Sequence, residues 1–402
     1  MEANTVTNVT VEQIRLNHLR KQSSFKEKRG DFYEIAYSQL GLHSTDYWTP
    51  YLSVWARIGD YDAREVFESL NCGRKIVRIN AFRNTVHVVH LENLPLIIRA
   101  TGPSLFRQVR RIPFLRNLTD KQIESKIDEI LQVLKEKPMK IRELKQKLPH
   151  FGKEIRWILI MASAIGRVVR ASAKSAKSTS TAYSLLEKWV PGFSLPDIDE
   201  DKAISELILR YIATFGPVSL NDIAWWIPTT KTKVKGILQE FSNEIVEYEV
   251  IDKTLYAAAS DLEFAGSLES LKEPVVWFLP YEDHLAKAFT DRFWYTDSEI
   301  LPRLFPRSAQ YHWPKGSTPK RAMPDTGTSG VNQSGEIRPS IWLDGQIVGR
   351  WEFGVKDEHY FVVYDLYADV PSKSKNIIEE KRQHLEKFVN NKLLPISKIS
   401  RT

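Results

Sequence analysis

The sequence predicts an α+β chain of three tandem units, each helix, short helix, helix and β-hairpin, followed by a β-rich tail closed by a terminal helix. Three observations carry that reading. The order of elements recurs at intervals of about 80 to 90 residues, the signature of a repeated supersecondary unit. The pattern then changes to period-two alternation on either side of Asp344-Gly345, a hairpin-turn pair. Between these parts, Pro314 to Ser340 is rich in Gly, Ser, Thr and Pro and poor in large apolar residues, so a mobile loop is expected over about 315–339. Helices followed by a hairpin describe a winged helix. The expected boundaries are 1–116, 117–195, 196–262 and 263–402.

In the first unit, Thr10 with Gln13 has the reciprocal capping-box spacing, and Val11, Ile14, Leu16 and Leu19 supply an apolar face. Asp31 with Glu34 repeats the signature, and Gly41 stands where a left-handed residue ends that helix. Pro50 suits the first turn of PYLSVWARI, and DAREVFESL closes at Asn71 and Gly73. RKIVRINAF and TVHVVH read as strands joined at Arg83-Asn84. In the second unit, Thr119-Asp120 opens a helix with Ile123, Ile127, Ile130, Leu131 and Leu134 at helical spacing. MKIRELKQKL and GKEIRWILIMASAIG follow as helices, and RVVRASA and TAYSLLEKW as strands flanking the basic tip KSAKSTS. The third unit runs through KAISELILRYIATFG, a short helix capped by Ser219 or Asn221, KTKVKGILQEF, and two strands around Asp252-Lys253. The tail offers VVWFLP as a buried strand, EDHLAKAF as a short helix, the alternating strands and the amphipathic KNIIEEKRQHLEKFV.

No apolar run reaches membrane-spanning length. The opening MEANTVTNVTVEQ has neither a basic region nor an apolar core, so no secretory signal is expected. A single cysteine, Cys72, excludes an internal disulfide and a cysteine-rich zinc site, which fits a reducing compartment. A cytoplasmic protein is expected, nucleoid-associated in a prokaryote, with no metal and no organic cofactor. The net charge of +7 suits a polyanionic partner. The cations cluster: Arg107, Arg110 and Arg111 lie at helical spacing, and like charges so placed repel unless an anion faces them. Lys174 and Lys177 mark the second hairpin tip and suit backbone or minor-groove contact.

One stretch concentrates chemistry. In GLHSTDYWTP an imidazole, two hydroxyls and a carboxylate share a joint between helices. Ser, Thr and Asp ahead of a helix are ordinary capping residues. The other reading is a site, in which His43 orients or deprotonates a water and Asp46 stabilises developing positive charge, while Thr45 only hydrogen-bonds.

GLHSTDYWTPYLSVWARIGD, RINAFRNTVHVVHLENL, ATFGPVSLNDIAWWI, FLPYEDHLAKAFTDR and LDGQIVGRWE occur in an order and spacing that resembles the AlkZ/YcaQ-like family of winged-helix DNA glycosylases, from about Leu16 to about Val389. The resemblance implies three winged helices and a C-terminal β-barrel-like domain arranged as a cradle for duplex DNA; a monomer is expected. It also implies hydrolysis of the N-glycosidic bond of alkylated or crosslinked purines. Family members position the attacking water with Gln-apolar-Gln or Gln-apolar-Asp on the turn that matches His43-Ser44-Thr45. Both glutamines are replaced here, and Asp46 lies one residue late.

Alternation puts Arg83, Thr85 and His87 on one strand face, and the resemblance sets that face beside the turn as a DNA-contacting surface; a plain polar face is the other reading. Trp225 and Trp226 read as core, Glu282-Asp283-His284 as neighbours that diverge rather than a metal cluster, and Asp291-Arg292 as an internal ion pair. Two further functions stay open beside the glycosylase: a non-catalytic DNA-binding regulator or damage-recognition factor, and a protein-binding scaffold.

Overall fold

The computed structural model describes residues 7–27, 30–72, 75–173, 181–261, 273–305 and 336–398. Lys174, Lys177 and most of the 315–339 stretch lie outside them. The caps read from sequence organise the helices. The Thr10 N–H donates to Gln13 Oε1 (2.8 Å) and the Gln13 N–H returns to Thr10 Oγ1 (3.1 Å), opening the helix Val11–Glu27. Asp31 accepts from the Glu34 N–H at the start of Phe32–Ser38, Thr119 and Gln122 form a capping box on Asp120–Leu134, and Ser219 with Asp222 does so on Leu220–Trp226. The first of the short helices ends with Leu40 and Gly41 both at positive φ (56° and 110°), the Gly41 N–H returning to the Ala36 carbonyl at 2.8 Å. A Cβ at Gly41 would stand 3.0 Å from the Val88 carbonyl oxygen, so glycine lets the next strand lie against Val86–His90.

That strand, Leu42–His43, begins a five-stranded antiparallel sheet in the order Leu42–His43, Val86–His90, Ile76–Asn80, Val168–Ala173, Thr181–Leu185. The hairpins expected in separate units thus share one sheet, joined where Arg78 faces Arg170. Arg83 and Asn84 form the hairpin turn at φ 55° and 60°, so Arg83 projects from the turn and not from the strand face. After Leu185 the chain turns into a short helix, Leu186–Trp189, where a continuing strand was expected.

A second sheet has the order Thr7–Asn8, Ile245–Val250, Lys253–Ala258, Val218–Ser219, and the first of these strands pairs in parallel with the second. Its hairpin turns at Ile251 and Asp252, one residue earlier than Asp252-Lys253. The third sheet, Val276–Leu279, Ser340–Leu343, Gln346–Lys356, His359–Leu366, is antiparallel with Asp344 and Gly345 at its first turn. It is open: among the described residues no closed barrel forms. Alternation fixes which side chains face inward but not whether the edge strands meet; here Ser372–Phe388 packs against both edges instead.

One hydrophobic core runs through the N-terminal, third and C-terminal parts, and a second holds Leu105, Ile127, Ile158, Met161 and Leu185 together. No helix among the described residues is long and apolar enough to cross a membrane.

Candidate functional site

The fold puts His43 inside. Strand pairing sets His43 opposite His87, with ring centroids 5.7 Å apart, and His43 is only 2% exposed. Thr45, two residues on, is at the surface. The joint therefore runs from interior to solvent within about 7 Å of extended chain. Thr45 Oγ1 accepts from the Val86 N–H at 3.3 Å.

Asp46 serves the helix Thr49–Ile58. Its Oδ1 accepts from the Trp48 and Thr49 N–H groups (2.8 and 2.9 Å), and its Oδ2 meets the Thr49 hydroxyl, which also lies 2.8 Å from the Tyr281 carbonyl. The carboxylate is thus occupied by the helix start, the ordinary use of aspartate there.

Against His43 comes a segment distant in sequence. The turn Tyr281–Asp283 and the helix His284–Lys287 follow the strand Val276–Leu279. Glu282 (3% exposed) and Lys287 (4% exposed) form a buried ion pair, and Glu282 Oε2 stands 3.7 Å from His43 Nε2. Glu282 has φ 60°, a conformation that costs a bulky side chain on the order of 1–3 kcal/mol unless its surroundings hold it. The holding groups are visible. Glu282 Oε1 accepts from the Ile337 N–H (2.8 Å) and the Glu282 N–H donates to the Ile337 carbonyl. Asp283 grips Arg57 with two bonds of 2.9 Å, both residues buried. Tyr281 donates to Glu336 at 2.5 Å, and its ring is 6.1 Å from His43.

The remaining walls are imidazoles and aromatic rings. His87 lies 5.2 Å from His284 and 5.3 Å from Phe82, while Trp226 is 5.1 Å from His284. The His87 Nδ1 meets the Thr85 carbonyl at 3.1 Å, and the Thr85 hydroxyl donates to Phe82. Neither ring nitrogen of His43, nor Nε2 of His87 or His284, has a hydrogen-bond partner among the described residues. Such atoms cost about 1–3 kcal/mol each, so they favour a polar partner. Burial, then Lys287, then His87 and His284 hold His43 well below the ordinary 6.5. Burial does the same for His87, and lowers His284 to about 4. Burial, then the charge of Arg83, brings Lys287 down to about 7, opposed by Glu336. Near pH 7 the three imidazoles are neutral, able to accept one hydrogen bond and donate another.

The expected DNA-contacting residues divide. The exposed Arg83 lays its guanidinium over Trp225 at 3.8 Å, while Trp226 is core. Arg107 and Arg111 are exposed at the end of the helix Leu94–Arg110. Arg110 donates to the Leu115 and Leu118 carbonyls and pairs with Asp120 at 3.4 Å. Glu282, Asp283 and His284 do diverge, and no group of three or more potential ligands among the described residues is placed to hold a metal. Asp291 pairs with Lys253 at 3.4 Å, and Arg292 lies over Phe305, so the expected pair of adjacent residues does not form. Glu282 and Lys287 were missed because nothing local ties them to His43. The sole signal was that FLPYEDHLAKAFTDR belongs to the shared series of stretches.

A family model described as DNA glycosylase AlkZ-like matches residues 38–388, which contain every group just described. Among solved structures, the Streptomyces sahachiroi DNA glycosylase AlkZ superposes with a TM-score of 0.72 at 15% identity, covering 98% of this chain and 99% of that one. At that identity the likeness is one of fold. The search of curated proteins returned no match.

Proposed function

Because the chain belongs to the AlkZ-like DNA glycosylase family, we propose that it hydrolyses the N-glycosidic bond of alkylated or crosslinked purines in duplex DNA, with His43 handling the attacking water. The observation that carries this is the buried, neutral imidazole with two unsatisfied nitrogens. It sits at the turn where the resembling family positions its water. A cationic alkylated purine leaves readily, so the site needs an oriented water and negative charge near C1′ rather than a strong general acid. The water oxygen bonds to C1′, the glycosidic electron pair departs with the base, and the water proton passes to His43. The product is an abasic site.

In this reading the tandem helix–hairpin units are winged helices cradling a duplex. Arg107 and Arg111 contact phosphate, a role the sequence also suggests for Lys174 and Lys177, which lie outside the described residues. Arg110 is occupied by carbonyls and contributes charge at most. Arg83, stacked on Trp225, presents a cation and an aromatic plane together, a combination suited to an unstacked base. Asp46 supports the helix, and Thr45 is exposed two residues from His43.

A second reading, a DNA-binding protein without activity, is favoured by the replaced glutamines and by the depth of His43. Duplexes carrying 7-methylguanine or a nitrogen-mustard crosslink separate the two. Alkali-labile sites that disappear in His43→Ala support hydrolysis; tight, salt-sensitive binding without any base release overturns it.

A further inference from the structure

The 43–46 joint holds one carboxylate, and the start of a helix occupies it. Thr45 carries none. The acid that faces His43 comes from 239 residues further along. We propose that Glu282, steadied by Lys287, is the positioning residue that orients His43 for attack and balances the positive charge it acquires. This rests on the reading of His43 given above.

Four features support it. Glu282 is held in a left-handed conformation that points its carboxylate inward, and Ile337 bonds to it at both backbone and side chain. Its Oε2 is shared between Lys287 and the His43 Nε2 side, at 3.7 Å from the latter. That gap is too long for a hydrogen bond, and catalytic hydrogen bonds often stand open before substrate arrives. The other nearby carboxylates are engaged elsewhere: Asp283 by Arg57 and Glu336 by the Tyr281 hydroxyl. His87 faces His43 from the strand Val86–His90, and His284 and Lys287 face it from the short helix. Tyr281 adds a ring, while Arg83 and Glu336 act on Lys287.

The proton inventory closes. With Nε2–H directed at Glu282, the His43 lone pair is on Nδ1. Nδ1 takes the proton from water as the oxygen bonds to C1′ and the electron pair leaves with the base. The imidazolium then lies between the abasic product and the Glu282 carboxylate, and gives the proton to solvent. A carboxylate that fixes a tautomer and stabilises an imidazolium without itself taking the proton is a known division of labour. Lys287 makes the resting pair neutral and keeps His43 from charging early.

The test uses the full-length protein with two readouts. Single-turnover release of 7-methylguanine across pH measures the chemistry; nitrogen chemical shifts of labelled histidine, with His43 assigned by its loss in His43→Gln, report the tautomer without substrate. Glu282→Gln is expected to slow release about 10²-fold and to abolish the His43 Nε2–H preference, with Glu282→Asp recovering part of the rate. Lys287→Met removes a cation, so His43 protonates at higher pH and the acid limb of the rate profile moves up. The double variant Glu282→Gln/Lys287→Met leaves no buried charge unpaired, and its slow release at unchanged folding excludes general damage. An active wild type whose Glu282→Gln variant keeps its rate and its tautomer overturns the proposal and spares the glycosylase reading. A wild type that releases no base, yet shows the tautomer change, overturns the glycosylase reading and spares the positioning role.

Discussion

From Leu105 to Leu185, 18 lysines and arginines stand against 7 aspartates and glutamates, whereas the rest of the chain has 39 against 43. The first region has its own hydrophobic core and sets many of its cations at the surface, among them Arg107, Arg111, Lys121, Arg142 and Lys145. The rest buries its decisive charges: Arg57 with Asp283, and Glu282 with Lys287. Exposed charge interacts weakly with its neighbours, is screened by salt and is free to attract a polyanion. Buried charge is costly to place, but it acts through low-dielectric surroundings at fixed geometry. In the function proposed above, one region finds nucleic acid and the other acts on one atom of it.

The largest effects should separate these tasks. His43→Ala is expected to lower base release by about 10²–10⁴ while the dissociation constant for undamaged duplex stays unchanged; a parallel loss of affinity would dissolve the division. Arg57→Ala strands Asp283 in the interior, where burial alone would raise its pKa and Arg57 now holds it below the ordinary carboxylate value. Denaturant unfolding should register a loss of about 3–5 kcal/mol. Lys147→Ala, which breaks an exposed pair with Glu136, should cost under about 1 kcal/mol. Equal costs for the two would mean that burial is not what distinguishes the regions. Arg107→Glu with Arg111→Glu should make the slope of log affinity against log salt shallower by about 2, with the melting temperature unmoved. The smallest effect sharpens the assignment inside the joint: Asp46→Ala should cost about 1 kcal/mol, and any lost base release should follow the lost stability.

What the sequence disclosed is local. Thr10 with Gln13, Asp31 with Glu34 and Asp344-Gly345 were legible because each signal spans at most four residues and rests on backbone groups that must be satisfied. The turn at Ile251 was misplaced by one because a β-branched residue at φ 45° defies the usual preference. Beyond that range the text is silent. No spacing announces that Arg78 pairs with Arg170, that Thr7 joins Tyr248, or that Glu282 meets His43. The open edge of the third sheet was unreadable for the same reason. Of the proposed site, the sequence offered His43 but not Glu282: a helix start marks itself in sequence, whereas a neighbour 239 residues away does so only through the folded chain.

The pairing of Arg78 with Arg170 also makes the five-stranded sheet a ruler. Its one margin bears His43 and its other belongs to the cation-rich region. Four strand intervals at about 4.8 Å separate them, roughly 19 Å, or between five and six base-pair steps of about 3.4 Å. If a duplex lies across the strands, as the proposed function would have it, the spacing between the margins matches about half a helical turn, a reach set by the hydrogen-bond ladder rather than by a hinge.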